Sequence, residues 1–325
     1  MKVREYTNIQ NYIDSRATKL LEKKDLIEIA LRDPDSNVEI LKKMKAKDIR
    51  KLFGFTHLIN GKYRNMSGFC FKCLTPLKPD YIKYENYCLD CWMKLYKSKK
   101  LLNIDNNAKT IKGQKYKYMT AILYLAPQRT SGFNTCAMAS AGCMASCLNT
   151  AGRGQMGSVQ LGRINKTKWY FLERDSFLNQ LRIEIKRHIL RCKKKGFKPA
   201  IRLNGTSDID WNIHGLYEEF KNVQFYDYTK IYKRALKYVK KEYPKNYHLT
   251  YSLNEDNRAQ ALDILKRGGN VSAVFRSKKL PKKFLNYKVF NADKTDLRFK
   301  DPKGIAGLYA KGRALKDNTG FVQDV

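Results

Sequence analysis

The sequence predicts an α/β protein, a parallel-sheet or partial (β/α) barrel domain preceded by a small helical segment and a zinc ribbon. Three observations predict it. Beyond residue 118, short apolar strands alternate with helical stretches at the spacing of a parallel sheet. Ahead of that, residues 66–95 carry two Cys-x2-Cys pairs, and residues 1–60 carry apolar residues at three- and four-residue intervals between Lys and Arg.

Residues 1–60 read as a small basic helical segment. LIEIALRD and ILKKMKAKDIRKLFGF have helical periodicity, and Asp33 to Asn37 between them supply a turn and an N-cap. Such a segment docks on DNA or RNA, or packs as an appendage with a solvated charged face. In residues 66–95, Cys70 and Cys73 are followed, fourteen residues on, by Cys88 and Cys91. Each pair offers two thiolates along one tetrahedral edge, which predicts a Zn²⁺ site. Four thiolates leave no open position, so this zinc is expected to be structural. Residues 96–117 read as a basic linker.

From residue 118 to 325 the elements follow in turn. MTAILYLA is the first strand, and the stretch after the cysteine loop makes two helices with a break near Arg174 and Asp175. PAIRLNG, VQFYDYT, YHLTYSL and NVSAVF are strands, separated by helices around IHGLYEEFK, YKRALKYVKKE and NRAQALDILKRG. A β-rich tail closes the chain.

Charge narrows the partners. The 325 residues contain 65 Lys and Arg against 30 Asp and Glu, a formal net charge of +35. That excess points to a polyanion, foremost nucleic acid, DNA or RNA undistinguished. A Lys-biased composition that only decorates the surface is the alternative. No apolar run approaches the ~20 residues that span a bilayer, and the N-terminus lacks a signal peptide's apolar core. No membrane partner is expected, and an intracellular, reducing setting favours cysteines as ligands over disulfides. The oligomeric state is left open.

In parallel α/β folds ligands gather at the carboxyl ends of the strands. The first strand exits into Cys136, Cys143 and Cys147, spaced C-x6-C-x3-C. Three thiolates suit a [4Fe–4S] cluster with one iron open, or a second Zn²⁺; ordinary buried cysteines among Ala, Met and Ser are the alternative. Gly152, Gly154 and Gly157 formally match G-x-G-x-x-G and lead into a helix N-terminus suited to an anionic group. The second strand exits into Asn204, Gly205, Ser207, Asp208 and Asp210, and the third carries Asp227 and leads to Lys230. Those carboxylates and Lys230 are candidate catalytic groups; Asp208, Asp210 and Asp227 are also the set a Mg²⁺-dependent nuclease would use. Capping of the following helices is the bland reading. His57, His188, His214 and His248 are dispersed, and neither a P-loop nor a hydrolase elbow is present.

YLAPQRTSGFNTC, CLNTAGRGQ, RLNGTSDIDW, FYDYTK, YHLTYS and DLRFKDPKGIAGLYAKG occur in that order. On these blocks the chain from about residue 118 resembles the phage "gene product 88" family. The resemblance implies a virus-encoded protein of the infected host cell's cytoplasm and brings no catalytic residues. More distantly, the chain is similar to radical S-adenosylmethionine enzymes, which carry three cluster cysteines after the first strand of a partial barrel. Their spacing is C-x3-C-x2-C, against C-x6-C-x3-C here. That similarity implies cofactor contacts at Asn204, Gly205 and Ser207. Together these features lead to the expectation of a nucleic-acid-associated metalloprotein, with modification of a nucleotide or nucleic acid by radical or other metal-dependent chemistry as the first reading if it is catalytic. A non-enzymatic DNA- or RNA-binding protein with two structural zincs is the alternative.

Overall fold

The computed structural model describes residues 100–105, 108–277 and 279–324, together with 92, 93 and 97. The chain divides between Lys97 and Ser98, and the second unit, residues 98–325, holds the α/β fold. The helical segment 1–60 and the ribbon ligands Cys70, Cys73, Cys88 and Cys91 lie outside the described residues.

The unit opens with β1 (Leu102–Ile104), α1 (Ala108–Gly113) and β2 (Tyr118–Leu123). After the cysteine loop, which contains α2 (Ala141–Ala145), come α3 (Gly157–Leu172) and α4 (Arg174–Lys194). Then follow β3 (Lys198–Arg202), α5 (Leu216–Glu219), β4 (Gln224–Thr229), α6 (Tyr232–Val239), β5 (Tyr247–Ser252), α7 (Arg258–Lys266) and β6 (Asn270–Phe275). The tail supplies β7 (Lys283–Phe284), β8 (Tyr287–Asn291), β9 (Ile305–Tyr309) and β10 (Val322–Gln323).

These strands form one mostly parallel mixed sheet in the order β1-β2-β3-β4-β5-β6-β9-β8-β7, with β10 on β6. Only the pairings β1–β2 and β7–β8 are antiparallel. The order has two ends, so strand pairing does not close into a ring. From β2 to β6 each parallel strand lies beside its predecessor. Crossovers in parallel sheets are right-handed, so successive steps in one direction carry their helices to one face. There Ala235 of α6 and Ala261, Ile264 and Leu265 of α7 pack on Tyr251, Val271, Ala273 and Phe275.

The opposite face is polar. Alternation along β4 puts Tyr226 and Tyr228 on it, while Phe225 and Asp227 point the other way. The segment Thr295–Asp301 covers part of that face. Tyr226 Oη donates to Asp296 Oδ2 at 2.8 Å, Arg202 pairs with Asp296 at 3.5 Å, and the Phe299 ring sits 4.9 Å from Tyr118.

Two local outcomes differ from the sequence reading. The segment expected as a linker contributes β1 and α1, because buried Glu184 of α4 accepts the N–H groups of Leu101 (2.8 Å) and Leu102 (2.8 Å), and Lys166 of α3 donates to Leu101 O at 3.0 Å. The helix expected around IHGLYEEFK is split into a 3₁₀ turn, Trp211–His214, and α5, because Gly215 sits at φ 65. The break between α3 and α4 falls at Glu173, as the sequence indicates.

Removing the Glu184 carboxylate strands two backbone donors and the Lys166 ammonium. Glu184→Ala is therefore expected to cost about 2–3 kcal/mol, with faster amide exchange at Leu101 and Leu102. Unchanged exchange at those two amides contradicts the anchor.

Candidate functional site at the carboxyl ends of the strands

The loop after β3 is a self-bonded turn. Asn204 is buried, and its Oδ1 accepts from Ser207 Oγ (2.9 Å), Ile209 N (3.0 Å) and Trp211 Nε1 (3.0 Å). Its Nδ2 donates to Ile209 O at 2.9 Å. A Cβ on Gly205 would stand 2.5 Å from Tyr124 Cδ1 and 2.7 Å from Leu123 O, so only glycine lets the loop lie this close to β2. Asn204, Gly205 and Ser207, the expected cofactor contacts, thus shape the loop. The side-chain hydrogen bonds of Asn204 and Ser207 run within it.

The three aspartates surround an arginine. Arg234 of α6 is buried, with Nη1 2.6 Å from Asp208 Oδ1, Nε 3.8 Å from Asp210 Oδ1 and Nη2 donating to Tyr247 Oη at 2.9 Å. Asp208 Oδ2 accepts the Lys230 N–H at 2.8 Å, and Asp210 Oδ2 accepts from Tyr243 Oη at 2.8 Å. Asp227 is 1% exposed, accepts the Asn204 N–H at 2.8 Å and feels the Arg234 charge. The carboxylates read as a Mg²⁺ set are here arranged about a guanidinium, a permanent charge that a divalent ion would have to displace. Lys230, the fourth candidate catalytic group, acts on Cys147 of the cysteine loop. Its Nζ donates to Ser252 Oγ at 3.0 Å and stands 5.5 Å from the Phe321 ring.

The cysteine loop is pinned at both ends. Thr135 Oγ1 donates to Ala126 O at 2.6 Å, and Thr135 O accepts the Asp208 N–H at 2.7 Å. Cys136 follows, its thiol 3.8 Å from Thr206 O. Ser140 caps α2 through Cys143 N (3.3 Å). Glu255, beyond β5, holds the same end: it accepts from Ser140 Oγ at 2.8 Å and from the Gly142 N–H at 2.5 Å. Cys143 packs against the Ala310, Ala314, Phe321 and Val322 cluster. Cys147 precedes the 3₁₀ turn Leu148–Thr150.

All three thiols are half-buried and unbonded to one another. Burial pushes the Cys136 thiol up, with Asp208 and Cys147 adding to the rise. Burial also pushes Cys147 up; Cys143 adds to this, whereas Lys230 and Arg163 pull it down. The three sulfurs therefore share one electrostatic neighbourhood. Among the described residues no three Cys, His, Asp or Glu side chains are grouped so as to hold a metal ion. The donor set suits a soft metal in chemistry, and ligation would require the thiols to move together. Cys192 is buried in α4, 3.5 Å from His188 Nε2, away from this loop's bonding network.

The glycine-rich turn is tight at Gly154 and open at Gly152 and Gly157. Gly152 has φ +52, and a Cβ on Gly154 would meet Asn149 O at 2.6 Å. Gly157 opens α3 with no side-chain cap at its N-terminus. Gln160 donates to Asn149 O at 2.8 Å and to Gly154 O, and Arg163 donates to Asn149 Oδ1. The Arg163 guanidinium lies 5.0 Å from the Tyr124 ring centre, with its Nε buried and without a hydrogen-bond partner.

Arg234 and Arg163 are the site residues that sequence reading passed over, whereas Glu255 stands in the polar tract that follows the YHLTYSL strand. Arg234 lies in a Lys-rich helix, where neither spacing nor motif marks it. Arg163 stands six residues past the glycine run, on the helix whose start was recognised.

Fold and site define an α/β protein with three thiols and two cations, Lys230 and Arg163, gathered at the strand ends. The chain belongs to the phage gene product 88 family, which matches residues 96–325 and so takes in β1 and α1 as well. No curated protein and no solved structure matches the chain. Among the described residues no helix is long and apolar enough to cross a membrane.

Burial outweighs the field of Arg234 and pushes the Asp227 carboxyl up to about 7. The folded state thus keeps a proton that the unfolded chain, titrating near 4, has released. This contribution to stability is full below about pH 4 and is lost as pH rises toward about 7. Asp227→Asn is expected to be more stable than wild type at about pH 8, the gap narrowing by about pH 5, measured by denaturant titration. A gap that widens toward acid contradicts the buried, protonated carboxyl.

Proposed function

We propose that this is a nucleic-acid-associated metalloprotein whose α/β unit carries a thiolate-bound metal centre on Cys136, Cys143 and Cys147. One observation carries the reading: three half-buried thiols share one strand-end loop, with Lys230 and Arg163 acting on Cys147. Thiolate donors select Zn²⁺ or iron–sulfur clusters. When bound, a centre with an open coordination position supplies Lewis acidity or one-electron chemistry. The chain's own residues do the rest. Glu255 and Ser140 hold the helix bearing Cys143, and Thr135 ties the loop beside Cys136 to Asp208. Lys230 and Arg163 give the site a positive side for an anionic group of a nucleotide or nucleic acid.

In the same reading, Cys70, Cys73, Cys88 and Cys91 hold one structural Zn²⁺, and the basic segment 1–60 docks on DNA or RNA in the infected cell's cytoplasm. The excess of 65 Lys and Arg over 30 Asp and Glu supports a polyanionic partner. A Mg²⁺ nuclease draws no support from Asp208 and Asp210, whose carboxylates already pair with Arg234.

The test is anaerobic purification with metal analysis of the wild type and of a Cys136→Ser, Cys143→Ser, Cys147→Ser variant. The wild type is expected to hold about one zinc plus either about four iron or a second zinc. The variant should keep the first zinc alone. Iron favours a catalytic centre; two zincs and no iron favour a non-enzymatic binding protein. Equal metal in both proteins would refute the thiolate centre.

A further inference from the structure

No Asp or Glu occurs from Asn106 to Leu172, the stretch that contains the whole cysteine loop and all of α3. That loop also exposes apolar side chains that a solitary surface would bury. Met138 is 54% exposed, Met144 45%, Leu148 59% and Met156 56%. Arg129 and Arg153 are exposed among them. The turn Gly312–Lys316 adjoins this rim, for a Cβ on Gly312 would lie 3.3 Å from Ala151 Cβ. It adds exposed Arg313 and Lys316. Nearby carboxylates are engaged inward: Glu255 on Ser140 and Gly142, Asp317 on Thr319 and Val322.

The rim thus combines positive charge with long, flexible, uncharged side chains, around the mouth that holds the thiols. A partner matching both must present negative charge and flat apolar faces within one chain. The outside of a duplex offers phosphates but keeps its base faces stacked. An unpaired strand offers both, its unstacked bases free to lie against apolar side chains. We infer that this rim binds an unpaired nucleic-acid strand, its phosphates on Arg129, Arg153 and Arg313 and its bases against Met144, Leu148 and Met156. The inference rests on the nucleic-acid half of the proposed function and gives it a place and a strandedness.

The test uses the full chain with a single-stranded oligonucleotide carrying a photoreactive thio-base, and maps cross-linked peptides by mass spectrometry. Cross-links are expected within residues 129–161 and 311–316. A Met144→Ser, Leu148→Ser, Met156→Ser variant should lose about tenfold in cross-link yield while duplex binding and metal content stay unchanged. Arg153→Ala should lower the salt dependence of single-strand binding by about 0.7 in log–log slope. Cross-links found only outside these segments, an unaffected triple variant, no binding at all, or displacement of the strand by anionic phospholipid vesicles would overturn the inference. Rim cross-links in a protein without the second metal would leave this inference standing and sink the thiolate centre alone.

Discussion

A buried guanidinium organises the strand ends. Removing Arg234 from water is costly unless carboxylates meet it, and they come from the β3 loop as Asp208 and Asp210. Asp208 also accepts the Lys230 N–H, which fixes where the chain leaves β4, and its own N–H goes to Thr135 O in the cysteine loop. Three of the loops that form the mouth are therefore registered through one aspartate held by one arginine. Because several of its partners would be left charged and unpaired without it, this hub is a point where single changes propagate.

The thiols sit on the outer layer of that arrangement. Glu255 reaches across from the β5 loop to the N-terminal end of α2, so Cys143 is placed by a strand-end loop other than its own. Gly142 allows this approach: a Cβ there would collide with Thr319, Phe321 and Glu255. The C-terminal segment consequently closes over the cysteine loop, and β10 completes the edge by pairing with Val274 and Phe275. Chemistry at this mouth depends on residues separated by nearly the whole length of the α/β unit.

Much of the architecture was legible in the sequence because it rests on local pattern. The alternation of apolar strands and amphipathic helices located β2 to β6, and the tract NVSAVF coincides with β6. The cysteines and the polar tracts after β3 and β4 lie at the carboxyl ends of the strands, as the order of the elements indicates. What escaped is set by tertiary contact. β1 has little strand signal of its own and is held by Glu184, eighty-odd residues away. Asp208, Asp210 and Asp227 look like free carboxylates in sequence because nothing there shows that Arg234, in a helix rich in Lys, turns inward to meet them. Gly205 and Asn204 read as ligand contacts, and the structure gives them a loop-building part through close packing on Tyr124 and an amide bonded within its own loop.

The proposed thiolate centre requires Cys136, Cys143 and Cys147 to act together on one metal. Site-resolved thiol alkylation reads this directly in the full chain, comparing anaerobically purified protein with the same protein after chelation. The three thiols are expected to resist alkylation as purified and to become reactive together once the metal is withdrawn. Prompt alkylation of all three before chelation, at the rate of half-buried free thiols, would contradict it.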